Sequence, residues 1–283
     1  MDNVSYMQWR RQKLDDYPRN IEALVVDIGG LNRLSAGEED MIIDKCRRYN
    51  MAIYRCADPA VDRSAIRAFA ANFGLNRPDY HLCANDDGVS ELCVASVGTR
   101  TAYVPYSNRS LSWHTDGYYN RQSRQVKAVV LHCEADAASG GDNALLDTDI
   151  MYIRLRDENP GFITAFEHPE CMTIPANRDS LGEIRSEVTG PVLSYGGGGS
   201  IHMRYSARKR NIKWREDDMT NAAREYVSSV LGDKNGPVLH YRLKPGEGLI
   251  SNNVLHNRTA FEDGGKSPRK LYRARFFDRI KTL

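Results

Sequence analysis

No stretch of this sequence approaches the roughly 18 consecutive apolar residues of a membrane-crossing helix, so no membrane partner is expected. Neither charge is in excess: 39 Lys and Arg stand against 37 Asp and Glu, a formal charge of +2. That balance removes the broad electrostatic footprint of a nucleic-acid binder. None of the six cysteines forms a CxxC pair, and Cys83 and Cys93 have no second ligand pair at zinc spacing. A chain of this size needs no disulfide staples, so reduced and mostly buried thiols are expected. The opening residues, Met1 to Arg11, lack the basic flank and apolar core of a secretory signal, which points to a cytoplasmic protein.

What is present is ordinary for a folded protein. Of 283 residues, 41% are hydrophobic and 27% charged, which excludes wholesale disorder. With no internal repeat and no long linker, one domain over 1–283 is expected. Residues 1–110 would form an α/β support region and 111–283 a metal-binding core.

In the first part, Ala23–Ile28 and Met51–Cys56 read as strands. Ser35 suits the cap of a helix that places Ile42, Ile43 and Cys46 on one face. A second helix is expected from Asp62 to Phe73. Beyond Trp113 the pattern becomes strand-rich, with segments at 126–131, 144–147, 201–205, 238–241, 248–251 and 273–277. Helices are expected near 149–159 and 219–231. Gly-rich turns separate the strands, and the Gly196–Gly199 run, which lacks the Lys-Ser/Thr of a phosphate loop, reads as a hairpin turn. A mainly β architecture, sandwich or barrel, flanked by helices follows.

The chemistry concentrates in three places. In Ser112-Trp113-His114-Thr115-Asp116-Gly117, an imidazole and a carboxylate two positions apart share one face of an extended strand. In Ser251-Asn252-Asn253-Val254-Leu255-His256, a short apolar strand ends in a second imidazole. Two His and one carboxylate on one side of an ion form the facial triad that holds Fe(II) and leaves positions for cosubstrate and dioxygen. Finally, Arg269, Arg273 and Arg275 follow His256, with Arg273 and Arg275 on one strand face. Guanidinium forks of this kind grip carboxylates bidentately, although a salt-bridged edge strand would show the same residues.

Together with the turn Gly140-Gly141-Asp142-Asn143 and the run His256-Asn257-Arg258-Thr259-Ala260-Phe261, these motifs resemble the TauD/TfdA family of Fe(II)- and 2-oxoglutarate-dependent dioxygenases. The family includes taurine dioxygenase, clavaminate synthase and γ-butyrobetaine hydroxylase. The resemblance spans about residues 110–278 and implies a double-stranded β-helix, a jelly roll of cupin type. It implies that His114, Asp116 and His256 ligate iron and that Arg269 anchors the distal carboxylate of 2-oxoglutarate. Arg273 would contact the cosubstrate or an acidic group on the substrate. Asn143 replaces the Thr of taurine-type members, yet its amide can donate the same hydrogen bond. Asp116 argues against halogenation, whose enzymes lack the carboxylate ligand.

The implied reaction consumes O2 and 2-oxoglutarate, releases succinate and CO2, and hydroxylates a small polar molecule such as an amino acid, betaine or sulfonate. The same ligands would serve desaturation, cyclisation or cleavage, and a sensor or scaffold that kept the barrel without turnover is the reading from another class. Trp113, Tyr118, Tyr119 and Tyr205 either line the substrate pocket or fill the core. His132 reads as a satisfied core histidine. The basic run Arg204, Arg208, Lys209, Arg210, Lys213 and Arg215 reads as a solvated loop or a lid over an anionic site. Relatives of this type imply a homo-oligomer, dimer or tetramer.

Overall fold

A computed structural model of the chain describes residues 3–179, 182–208, 210–264 and 268–281. The architecture is mixed helix and sheet. Ten strands build its two largest sheets: β1 (Val25–Asp27), β2 (Met51–Arg55), β3 (Val89–Leu92), β4 (Leu111–His114), β5 (Ala128–Ala135), β6 (Asn143–Leu146), β7 (Leu239–Tyr241), β8 (Glu247–Ser251), β9 (Leu255–Arg258) and β10 (Lys270–Phe276). The six-stranded sheet runs β1-β2-β8-β5-β10-β3, antiparallel except for the β1–β2 pair. The four-stranded sheet runs β7-β6-β9-β4 and is antiparallel throughout. Strands from the first hundred residues therefore share a sheet with the last strand of the chain.

Alternation along the strands sorts side chains between two cores. From β2, Ala52 and Tyr54 join Ile42, Ile43, Ile66 and Phe69 beneath α2 (Ala36–Tyr49) and α3 (Arg63–Asn72). Met51 and Ile53 point the other way and meet Leu145, Leu239 and Val254 of the four-stranded side. The last strand obeys the same rule: Tyr272, Ala274 and Phe276 face the helices, while Leu271 faces the space between the sheets. Arg273 and Arg275, in phase with Leu271, are thus aimed into that space.

The helices begin where capping chemistry dictates. Ser35 and Glu38 form a reciprocal capping box on α2, which ends on Asn50 in the left-handed conformation. Asp62 caps α3, and Asp217 caps the helix Asp218–Gly232. Two helices carried no clear sequence signal. Asn3–Asp16 is largely polar and buries Tyr6 and Lys13, and Pro160–Glu167 follows Thr148–Glu158 after a single residue. The segment at 23–28 also differs from a plain strand, since Ile21–Leu24 is a 3-10 turn and only Val25–Asp27 pairs. The glycine run does close a hairpin, between the antiparallel strands Leu193–Tyr195 and Ile201–Met203. All six cysteines are unpaired, five of them buried and Cys93 half-buried. No described helix is long and apolar enough to cross a membrane.

Candidate metal centre and adjoining cavities

Strand pairing sets His114 of β4 directly opposite His256 of β9, bringing the imidazole centroids to 4.2 Å. Asp116 follows where β4 ends, and one ligand atom from each of these three residues lies within 4.8 Å of the others. Both imidazoles are oriented from behind. Nδ1 of His114 donates to the Ser112 carbonyl and Nδ1 of His256 to the Val254 carbonyl, each at 2.9 Å, leaving both Nε2 atoms to bind an ion. Burial, then the neighbouring His256, pushes the His114 pKa down to about 3, so the ring stays neutral as ligation requires.

The carboxylate is shared unequally. Burial alone would raise the Asp116 pKa, but Arg273 first, then Arg275, hold it below the ordinary carboxylate range. Oδ1 accepts from Nη1 of Arg273 at 3.1 Å, with Nη1 of Arg275 at 3.7 Å. Oδ2 is buried and has no hydrogen-bond partner. A charged oxygen left in that state is costly, and a cation between the three residues would relieve it. The donor set, two imidazole nitrogens and one carboxylate oxygen, suits Fe(II).

Two cavities meet the triad. The smaller, about 40 Å³, runs from Asp116 and His256 past Asn143 to Arg269. Arg269 is buried, with its guanidinium 5.0 Å from the Phe261 ring, and burial lowers its pKa. No carboxylate among the described residues pairs with it. Arg258 lies over the same ring at 4.8 Å but is engaged, donating to the Ser107 and Arg109 carbonyls. Gly140 and Gly141 both have positive φ, and a Cβ on Gly140 would fall 2.1 Å from the Ala260 carbonyl oxygen, so the turn beside Arg269 admits only glycine there.

The larger cavity, about 940 Å³, has His114, Asp116, Arg273 and Arg275 at its buried floor. Arg121, Arg124, Arg178 and Arg208 line it as exposed residues and Arg185 as a half-buried one. Among the described residues its only acids are Asp79 and Asp116, and both are ion-paired, Asp79 with Arg275 at 2.5 Å. Arg275 also donates to the Tyr119 hydroxyl at 2.7 Å.

The four aromatic candidates divide evenly. Tyr118 and Tyr119 line the large cavity, whereas Trp113 and Tyr205 do not; both pack with a third core formed by the helices Thr148–Glu158, Pro160–Glu167 and Asp218–Gly232, Tyr205 against Trp214. The basic run is also split. Arg208 faces the cavity, Lys209 lies outside the described residues, and Arg204 is not a solvated residue but a buried brace. Its guanidinium donates to the carbonyls of Tyr118, Met172, Val188 and Gly190. His132 is a satisfied core histidine between Tyr54 and the Pro59 carbonyl. Asp79 and the roles of Arg275 and Asn253 went unseen in the sequence, because their partners lie far along the chain.

Two of the solved structures to which this chain is similar show its fold. Asparagine oxygenase bound to Fe(II), 2S,3S-3-hydroxyasparagine and succinate aligns with a TM-score of 0.58 and 15% identity, covering 98% of this chain and 92% of that one. AAD-2 in complex with Mn(II) and N-oxalylglycine aligns with a TM-score of 0.62 and 15% identity, covering 92% and 96%. The fold is thus that of the Fe(II)/2-oxoglutarate oxygenases. The profile of the taurine catabolism dioxygenase TauD, TfdA family matches residues 13–275, and the chain belongs to that family. A uridine-5'-phosphate dioxygenase from Streptomyces sp is 26% identical over 246 residues, 83% of this chain and 88% of the relative. The protein is an enzyme, a non-haem dioxygenase that uses Fe(II), with 2-oxoglutarate and O2 as cosubstrates.

Proposed function

We propose that this dioxygenase hydroxylates an organic anion bound in the large cavity, with Nε2 of His114, Oδ2 of Asp116 and Nε2 of His256 holding the iron. The observation that carries the reading is the convergence of these three side chains, one of which holds a buried carboxylate oxygen without a hydrogen-bond partner. When bound, Fe(II) supplies the redox chemistry that couples decarboxylation of 2-oxoglutarate to oxidation of a substrate C–H bond. The protein's own contribution is geometric and electrostatic. Backbone carbonyls fix the imidazole tautomers, and Arg273 holds Oδ1 so that Oδ2 is presented.

Arg269 is the anchor for the distal carboxylate of 2-oxoglutarate: it is buried, it lines the small cavity, and its guanidinium has no ion-pair partner among the described residues. Asn143, which lines the same small cavity as Arg269, Asp116 and His256, offers its amide to the same molecule. The two large sheets form the two halves of a jelly roll, and the whole chain acts as one domain around the site.

The substrate class follows from charge and size. Arg121, Arg124, Arg208, Arg273 and Arg275 line the large cavity, and its two acids among the described residues are already ion-paired, so a quaternary ammonium would be repelled and an anion attracted. This favours the acidic members of the expected substrates over betaines. About 940 Å³ lies at the upper end of the usual 300–1,000 Å³ range for ligand pockets, larger than an amino acid or taurine requires. The name of the Streptomyces relative supports a phosphate ester carried on a ring-bearing molecule. Tyr118 and Tyr119 supply aromatic faces for such a ring.

The test is succinate release measured with nucleoside 5'-phosphates, their parent nucleosides, sulfonates, amino acids and betaines. Phosphate-bearing compounds should stimulate it most. Stimulation by betaines alone would overturn the substrate reading, and full turnover in His114→Ala would overturn the metal site.

A further inference from the structure

The backbone ladder that aligns His114 with His256 stops before it reaches Asp116. A side chain continues it. Asn253, buried three residues before His256, accepts the Asp116 backbone N–H on Oδ1 at 2.8 Å and donates from Nδ2 to the Asp116 carbonyl at 2.9 Å. The same Nδ2 also donates to the Val126 carbonyl at 2.6 Å. One amide thereby satisfies both backbone groups of Asp116 and ties them to the chain leading into β5. The geometry needs the left-handed backbone at Asn253, φ 56°, a conformation that asparagine tolerates better than most residues.

We infer that Asn253 is a positioning residue of the metal centre, fixing Asp116 relative to His256 so that Oδ2 meets the ion. This rests on the assignment of Asp116 as a ligand. The opposite edge of the segment is held separately: Thr115 donates its N–H to the Tyr205 carbonyl and accepts the Tyr205 N–H on Oγ1. Without Asn253 the segment keeps that tether but can swing Asp116 about it. Its neighbour Asn252 offers a control. That side chain faces away from Asp116, donating to Oδ1 of Asn50 and accepting the Ile280 N–H. Loss of Asn252 should cost stability without moving Asp116.

The experiment is an anaerobic Mn(II) titration followed by EPR on the full chain, beside thermal melts of each variant. Asn253→Gly retains the backbone conformation and removes the amide, and it should bind Mn(II) at least tenfold more weakly. Asn253→Asp keeps the acceptor but sets a carboxylate against two carbonyls, and it should do no better. Asn252→Ala should melt earlier yet bind within about twofold of wild type. Binding by Asn253→Gly within twofold of wild type would overturn the inference, as would an equal loss in Asn252→Ala. Asp116→Ala separates the two levels: if it retains Mn(II) affinity, the ligand assignment itself fails. Should the Asn253 variants not fold, amide exchange in the metal-free wild type decides. The Asp116 amide should exchange as slowly as a strand amide, and exchange as fast as that of an exposed turn would refute the clamp.

Discussion

Arg273 reaches from the six-stranded sheet to Asp116, which follows the end of β4 in the four-stranded one, and occupies one oxygen of that carboxylate, Nη1 to Oδ1, while the other stays free. The contact joins the sheets at the metal centre and sets the carboxylate's rotation. Replacing Arg273 by Gln should weaken Fe(II) binding about 10- to 100-fold, the usual penalty for losing the partner of a metal ligand. Arg273→Lys, which restores charge without the planar fork, should fall between the two. Anaerobic titration of the three proteins checks the order.

Arg269→Ala should raise the KM for 2-oxoglutarate about 10- to 100-fold, because a charge-assisted bond to a carboxylate contributes about 1.5–3 kcal/mol. Steady-state kinetics with 2-oxoglutarate varied at saturating substrate would show it. An unchanged KM would remove Arg269 from the cosubstrate site.

Arg204→Met should destabilise the fold by about 3–5 kcal/mol, since four carbonyls lose their donor in a buried setting. Urea unfolding measures this directly. A loss under 1 kcal/mol would mean that water replaces the guanidinium.

Acid should destabilise the protein through two histidines, buried His132 and half-buried His81. Burial lowers the His132 pKa, and burial followed by Arg275 and Arg273 pushes His81 down to about 2. Both titrate near 6.5 in the unfolded chain, so the stability they confer is full above pH 6.5; it falls as pH drops below 6.5, for His81 until about pH 2. His81 should contribute a slope approaching about 1.4 kcal/mol per pH unit in that window, and His132 a slope of the same sign just below pH 6.5. Urea midpoints between pH 6.5 and 4.5 should drop accordingly, and His132→Gln should remove one histidine's share of the slope.

Much of the site was legible because it is written in short-range patterns. His-x-Asp at a strand end, an imidazole closing an apolar strand, and arginines two apart on the last strand all follow from period-two geometry. The capped helices at Ser35 and Asp62 were legible for the same local reason. What escaped depends on contacts made across the chain. Nothing in the sequence around Asp79 announces Arg275, 196 residues away. Trp113 sits beside His114 in sequence and Tyr205 beside Arg204, yet both side chains pack with the core of the helices Thr148–Glu158, Pro160–Glu167 and Asp218–Gly232. Arg204 belongs to a basic run whose composition suggested solvent, but four carbonyls from three separate segments converge on it. The helix Asn3–Asp16 shows almost no apolar stripe, so periodicity could not find it.

The imidazoles and the arginines ride on opposing sheets, separated by a leucine layer that includes Leu145, Leu249 and Leu271. That layer acts as a spacer gauge: its thickness sets how far the counter-charges stand from the iron. Trimming or enlarging one of these leucines would retune the metal's electrostatic surroundings from a distance, so catalytic variation in this enzyme need not begin at any residue that touches substrate.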